Sequence, residues 1–244
     1  MNTDSLSQLF DLKDSVAVVT GGAGILCSAM CKALGRAGVK VAVADILPDA
    51  ADRVVKDIVE GGGAAIAAQC DVLDKASIEQ AAGKILKEYG RVDILINGAG
   101  GNKKEATTGL EKEFFDLPPE AVQWVFNLNF LGTFLPCQVF GKTMVEQDAG
   151  VILNLSSMNA FRPLTRIPAY SGAKAAVSNF TQWLAVHMAQ EYSPNIRVNA
   201  LAPGFFLTEQ NRFLLTNPET GGLTERGSTI ISHTPQARFG ETKD

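Results

Sequence analysis

Tyr170 and Lys174 stand four residues apart, and Ser157 stands 13 residues before the tyrosine. On a helix, a spacing of four puts two side chains on one face. These residue types suit one kind of chemistry. A phenol can deliver a proton to an oxygen that is gathering negative charge, as a ketone oxygen does when hydride reaches its carbon. Free tyrosine, with a pKa near 10, is a poor base for the reverse step. A neighbouring ammonium favours the phenolate, and lowering the phenol pKa by about two or three corresponds to roughly 3–4 kcal/mol. Lys174 is placed to do this for Tyr170, and the Ser157 hydroxyl would hydrogen-bond the developing oxyanion. Y-x-x-x-K alone is common by chance, so the weight falls on the elements that hold it.

Those elements alternate. Val16 to Thr20 is a short β-branched run, followed by a helical stretch from about Gly24 to Ala37. Val39 to Ala44, Ala64 to Cys70, Val92 to Asn97, Val151 to Ser156 and Ile196 to Leu201 read as further strands. Between them, Pro48 to Glu60, Lys75 to Tyr89, Pro118-Pro119 to about Gln147, and Pro168 to Tyr192 read as helices, with Pro136 expected to kink the third. Buried strands alternating with helices mean βαβ units, a parallel sheet and helices on both faces. The fold class is therefore α/β, a Rossmann-type doubly wound parallel sheet in one domain over 1–244. After Pro203-Gly204 the rhythm stops, and Phe205 to Gly240 reads as helix and loop.

The first strand runs into Thr20-Gly21-Gly22-Ala23-Gly24-Ile25-Leu26-Cys27. Gly22 and Gly24 fill the first two positions of G-x-G-x-x-G, whose uses are a tight turn and close approach to a pyrophosphate at a helix N-terminus. The third position is Cys27, a small residue but not glycine. Gly21, Gly22, Gly24, Ile25 and Leu26 are thus cofactor-binding candidates. Asp45, 23 residues after Gly22, can accept hydrogen bonds from both adenosine ribose hydroxyls and would repel a 2′-phosphate, which predicts NAD over NADP. It can also cap the helix that opens near Pro48. Asp71-Val72 and Asn97-Gly98-Ala99 follow strand ends, where open parallel sheets bind ligands.

Composition narrows the classes. The protein has 244 residues, 46% hydrophobic and 20% charged, which is globular. A net charge of −4 gives no bulk-charge support for nucleic-acid binding. No apolar run reaches the ~18 residues of a membrane span, and Met1 to Ser15 lacks the pattern of a signal peptide. The irregular spacing of Cys27, Cys31, Cys70 and Cys137, with only two histidines far away, suits buried thiols in a cytoplasmic protein and no metal site.

The ordered set Ser157, Tyr170, Lys174, with the glycine turn, Asn97-Gly98-Ala99-Gly100, Asn129 and Pro203-Gly204, resembles the short-chain dehydrogenase/reductase family over nearly the whole sequence. The usual family turn, T-G-x-x-x-G-x-G, has glycine where this sequence has Ile25 and Cys27. The resemblance implies an NAD-dependent interconversion of a ketone and a secondary alcohol. It implies that Lys174 and Tyr170 also hold the cofactor, that Asn129 helps relay protons through water, and that Pro203, Gly204 and Thr208 touch the cofactor. A substrate lid over about 205–235 and a homo-oligomer, commonly a tetramer, are further implications.

Four segments are less generic: Gly98 to Asn102 with Glu105 to Thr108, Asn129 to Pro136, Phe205 to Arg212, and Leu223 to Gly227. They resemble the branch of the family that acts on sugar acids, the D-mannonate oxidoreductases (fructuronate reductases) of short-chain type. A sugar acid needs a cationic or hydrogen-bonding clamp for its carboxylate. Asn102, Arg162, Arg166, Arg212 and Arg226 are the candidates, each arginine equally able to form a surface ion pair. Lys103-Lys104 reads as a solvated pair, and His233 as a residue for a hydroxyl or for lid packing. The alternatives are a reductase of another sugar acid, a polyol or a 3-oxoacyl substrate, and a non-catalytic NAD-binding sensor. The resemblance also calls for seven strands where six are read, so the expectation is a domain lacking its last ~25–30 residues, with the sixth strand unpaired on one side.

Overall fold

The structure is a computed structural model and describes residues 11–110, 112–162, 166–208 and 211–244. Residues 1–10, which carry most of the N-terminal segment read above, and Glu209-Gln210 of the third substrate segment lie outside the described residues.

Six parallel strands form one sheet: β1 Val16–Thr20, β2 Lys40–Asp45, β3 Ala64–Gln69, β4 Ile94–Asn97, β5 Gly150–Leu155 and β6 Ile196–Leu201. Their order is β3-β2-β1-β4-β5-β6, so the order reverses beside β1. That reversal opens a crevice at the carboxyl ends of β1 and β4, where doubly wound sheets bind ligands. The helices between them are α1 Ile25–Arg36, α2 Pro48–Glu60, α3 Lys75–Tyr89, α4 Pro119–Glu146 and α5 Pro168–His187.

The strand residues divide by parity, as a period of two requires. Val16 and Val18 of β1, with Ala42 and Ala44 of β2, face a core built with α3, α4 and α5, among them Ile78, Phe140 and Phe180. Ala17 and Val19, with Val41 and Val43, face a second core with Cys31 of α1 and Val54 and Ile58 of α2. All five residues of β1 are buried, which explains why it reads as a continuous apolar run.

Local chemistry fixes the element ends. The side chain of Asp74 accepts from Ala76 N and caps α3, while Gly90 closes it with φ +76°. Prolines open α2, α4 and α5 at their first positions. Two strands start later than the sequence pattern suggests. β2 begins at Lys40, in register with Val16. β4 begins at Ile94 because Val92 is already bonded: its N–H donates to Gln147 Oε1 (3.0 Å) and its carbonyl accepts from Gln147 Nε2 (2.8 Å). Helix α4 runs without a break through Pro136, and α5 ends in a π turn, Met188–Tyr192. After β6 come α6 Arg212–Leu215 and α7 Glu225–Ser232, joined through an isolated bridge between Thr216 and Leu223.

A polar row crosses the buried sheet just beneath the crevice. Thr20, Asn97 and Asn154 are aligned in register on β1, β4 and β5. Asn97 Nδ2 donates to Asn154 Oδ1 (2.9 Å) and Asn154 Nδ2 to Thr181 Oγ1 (2.9 Å) on α5. Removing one member takes a bond from each of its buried partners. Asn154→Ala is therefore expected to lower unfolding free energy by about 2–4 kcal/mol in urea denaturation, through lost bonds and a cavity. An unchanged midpoint would show that the row carries no stability.

Candidate active site

The proposed catalytic residues meet at the carboxyl ends of β4 and β5. Ser157 lies two residues past β5 and opens a short 3₁₀ turn, where its Oγ accepts from Asn159 N (3.3 Å). Tyr170 lies in the first turn of α5, near enough to Ser157 for the serine hydroxyl to favour its phenolate. Lys174, one helical turn on, is only 4% exposed. Its Nζ donates to the Leu155 carbonyl (2.7 Å) and lies 5.6 Å from the centroid of the Tyr170 ring.

The electrostatics correct one expectation. The spacing predicts that Lys174 pulls the phenol pKa down, yet Tyr170 is pushed above its usual value by burial, with the Ser157 hydrogen bond acting the other way. The reason lies in the lysine. Burial disfavours its charge and brings its pKa from 10.5 down to about 8, with Cys27 opposing weakly. Its ammonium is engaged with the Leu155 carbonyl and sits by the ring face.

Asn129 is fully buried, and its amide brackets one residue of the loop after β4. Oδ1 accepts from Gly101 N (3.2 Å), while Nδ2 donates to the carbonyls of Gly101 (2.7 Å) and Val125 (2.7 Å). These bonds make the side chain a clamp on the loop. A Cβ on the neighbouring Gly100 would come within 2.6 Å of Asn129 Oδ1 and 3.3 Å of Lys174 Nζ, so the bare backbone lets amide and ammonium approach.

The glycine turn is built for close approach. Gly21 has φ +62°, and a Cβ there would lie 2.8 Å from the Ala99 backbone. A Cβ on Gly22 would lie 2.8 Å from the Val19 carbonyl and 2.9 Å from Val43 Cγ1. Gly24 occupies the N-cap of α1 without a side-chain cap, so the positive end of that helix opens onto the turn at Ile25 and Leu26. This cradle fits a dinucleotide pyrophosphate. Asp45 is 8% exposed and does both jobs foreseen for a carboxylate there only in part. Its Oδ2 accepts from Ala23 N (3.0 Å) and its Oδ1 from Leu47 N (3.0 Å), tying the turn to the start of α2. One lone pair on each oxygen remains for a ribose hydroxyl.

Other candidates take less exposed roles. Asn97 is 1% exposed, and its Nδ2 is engaged in the core, so the loop that follows it reaches the crevice through the backbone of Gly98 and Ala99. Asp71 Oδ1 accepts from Leu73 N, and Val72 is buried with its Cγ2 against Gly132 of α4. The Pro203 carbonyl accepts from Met158 N (3.2 Å), which ties the Ser157 turn to the loop after β6. Gly204 is exposed, and Thr208 bonds with Asn211 at the entry to α6. Asn102 donates to Thr107 Oγ1 (2.8 Å). Lys103 departs from the solvated-pair reading, for its ammonium sits 5.0 Å over the Trp124 ring. His233 Nδ1 is within 2.8 Å of the Thr229 carbonyl in its own helix.

Sequence reasoning passes over several residues. Thr20 Oγ1 accepts from Gly98 N (3.2 Å) and Ala99 N (3.4 Å), and so holds the loop after β4. Ser156 and Ser178 bond each other (2.6 Å), and both hydroxyls lie within reach of the Lys174 carbonyl (3.3 and 3.1 Å), to which the one not donating to its neighbour donates. Their signals are present in the sequence: Ser156 adjoins Ser157, and Ser178 follows Lys174 by one helical turn. The Leu155 carbonyl gives no signal, because any residue would supply it.

A family model, short chain dehydrogenase, matches residues 15–218. The protein belongs to the short-chain dehydrogenase family. It is 48% identical over 242 residues to the uncharacterised oxidoreductase UxuB of Bacillus subtilis, covering 96% of this sequence and 86% of the relative. A crystal structure of a Haemophilus influenzae protein provisionally named D-mannonate oxidoreductase, with bound NAD, has a TM-score of 0.89 at 44% identity, covering 98% of this protein and 87% of that one. The 7α-hydroxysteroid dehydrogenase of Escherichia coli K12 is 30% identical over 243 residues, covering 100% of this sequence and 87% of the relative. The dinucleotide foreseen from the glycine turn and Asp45 is the one bound in the Haemophilus protein. Among the described residues no helix is long and apolar enough to cross a membrane, and no group of three or more His, Cys, Asp or Glu side chains could hold a metal ion.

Burial of the Lys174 ammonium has a thermodynamic signature. A folded pKa of about 8 against an ordinary 10.5 means that the folded protein binds this proton less tightly than the unfolded one, by about 3 kcal/mol. The penalty is full below about pH 8 and is relieved as pH rises toward 10.5, where the unfolded lysine also loses its proton. Lys174→Met is therefore expected to be at least as stable as the wild type at pH 7. The wild type should gain on it as pH rises above 8 in urea titrations at stepped pH. A wild-type advantage at pH 7 that shrinks on alkalinisation would contradict this.

Proposed function

We propose that the protein is an NAD-dependent oxidoreductase that interconverts D-fructuronate and D-mannonate. The observation that carries the chemistry is the buried Lys174 ammonium, held by the Leu155 carbonyl and 5.6 Å from the centre of the Tyr170 ring, with Ser157 acting on the same phenol, beside an uncapped glycine turn. The substrate reading is supported by the four loop segments and by likeness to the Haemophilus protein.

Each residue then has a task. NADH, when bound, supplies the hydride that reaches the carbonyl carbon. Ser157 hydrogen-bonds the carbonyl oxygen as charge gathers there. Tyr170, with its phenol pKa raised by burial, stays in the acid form at neutral pH and delivers its proton to that oxygen. Lys174 holds the nicotinamide ribose, Asn129 keeps the loop after β4 against it, and Asp45 accepts the adenosine ribose hydroxyls. The two residues after Asp45, Ile46 and Leu47, are apolar and exposed, so neither offers a 2′-phosphate a positive charge.

The test is NADH oxidation, followed at the nicotinamide absorbance, against a panel of sugar acids, polyol-derived ketones, 3-oxoacyl thioesters and ketosteroids. D-fructuronate should give the highest kcat/KM, with NADH preferred over NADPH by about 100-fold. Tyr170→Phe should lose about 10³-fold in kcat, and Lys174→Ala should also be nearly inactive. A fully active Tyr170→Phe would remove the proposed acid, whereas a different best ketone would leave the acid and change the substrate. Cofactor binding with no turnover of any carbonyl would leave a sensor.

A further inference from the structure

Arg162, Arg166 and Arg212, candidates for a substrate carboxylate, are exposed, and Arg226 is half-buried. Asn159 differs from them in burial and in place. It lies two residues after Ser157, in the 3₁₀ turn Met158–Ala160, and is only 6% exposed. Its backbone N–H donates to Ser157 Oγ (3.3 Å), which ties it directly to the serine hydroxyl. The turn packs on α5, the helix that carries Tyr170 and Lys174.

The amide oxygen of Asn159 is sealed in without being used. Oδ1 is buried and has no hydrogen-bond partner among the described residues. The turn does not need it. Met158 N is bonded to the Pro203 carbonyl (3.2 Å), Ala160 N to the Ser157 carbonyl (3.0 Å), and Phe161 N (3.0 Å) and Arg162 N (2.9 Å) to the Met158 carbonyl. With Asn159 N on Ser157 Oγ, every backbone N–H from Met158 to Arg162 has a partner. Asn129 gives the contrast, for it is also buried and its amide makes three bonds in holding the loop after β4. A buried polar atom is unfavourable without a bond, so one left open beside a catalytic group marks a place for a ligand's donor.

The ligand group that fits is a hydroxyl. It offers a hydrogen to an amide oxygen and lone pairs to an amide nitrogen. D-fructuronate carries a hydroxyl on the carbon at each side of its ketone, next to the oxygen assigned above to Ser157 and Tyr170. We propose that Asn159 is a specificity-determining residue whose amide binds a hydroxyl on a carbon beside the reacting ketone. This rests on the sugar-acid reading above. Ser157 and Asn159 then hold adjacent oxygens from one short turn, Ser157 the one that gathers charge and Asn159 the one next to it. Two contacts so close together fix the orientation in which the ketone meets the hydride.

The test uses the full-length protein with D-fructuronate and with its 1-deoxy and 3-deoxy analogues, each lacking one of the two flanking hydroxyls. Asn159→Leu keeps the side-chain volume and removes both polar groups, whereas Asn159→Ala removes them and leaves room. Both should raise KM for D-fructuronate about 10- to 100-fold, the equivalent of one or two neutral hydrogen bonds, with a smaller fall in kcat. KM for NADH should stay within about threefold of the wild type. On one of the two analogues, Asn159→Ala and the wild type should agree in kcat/KM within about threefold, because the partner hydroxyl is already gone. In urea without substrate, Asn159→Leu should unfold no earlier than the wild type, since the free protein gives up no bond. A leucine that does not fit would show as an early midpoint in Asn159→Leu alone, and Asn159→Ala then decides. Unchanged KM for D-fructuronate in Asn159→Ala, or equal losses on D-fructuronate and both analogues, would overturn the role of Asn159 and leave the sugar-acid reading intact. A wild type that reduces no sugar acid would overturn both.

Discussion

An ammonium group with almost no access to water is the constraint around which this site is arranged. Taking a charge out of water is unfavourable by several kcal/mol unless bonds and neighbours compensate. Lys174 receives one carbonyl, that of Leu155, at the end of β5. Its own carbonyl is held by Ser156 and Ser178, so the helix carrying it is fastened to the strand it faces. Gly100 is bare where the ammonium and the Asn129 amide crowd it. The lysine thus sits in a cage of backbone and small polar groups, with no carboxylate bonded to it among the described residues. Such a cage positions a charge without neutralising it, which leaves its field available to whatever lies beside the Tyr170 ring.

Beneath the cage, polar groups run through a sheet that is otherwise apolar. Thr20, Asn97 and Asn154 occupy equivalent positions at the ends of three central strands, and Thr181 continues the hydrogen-bonded series into α5. An apolar core tolerates small slips of one strand along another, whereas a row of amides with directional bonds is far less forgiving. The row therefore sets the relative height of the strand ends, and with it the loops after β1, β4 and β5 that make up the crevice.

Much of this was legible in the sequence because it rests on pattern. Alternation of buried runs with amphipathic helices implies a parallel sheet covered on both faces, and the ordered serine, tyrosine and lysine locate the chemistry. What escapes has particular causes. The late start of β4 follows from Gln147, a residue 55 positions away in sequence whose amide imitates a strand. The inward direction of Asn97 depends on strand parity, and no motif marks parity at the last residue of a strand. The pKa of Tyr170 turns on how deeply it and Lys174 are buried, which spacing along a helix does not report. The four arginines look alike because like residues in loops differ only in what the fold brings near them.

Cys27 stands where the family turn carries its last glycine, and its sulfur occupies the space that a side chain on Gly98 would need. The two positions share one volume. In any lineage descending from this sequence, residue 98 is locked as glycine for as long as residue 27 remains cysteine. A change of Cys27 to glycine removes the sulfur and leaves a methyl at 98 only the closeness of the Thr20 carbonyl, 3.0 Å away, to accommodate, whereas the reverse order also forces that methyl against the sulfur. The order of substitutions is thereby constrained: position 27 must shrink before position 98 can grow. A single atom at the edge of the glycine motif has made the path of later variation directional.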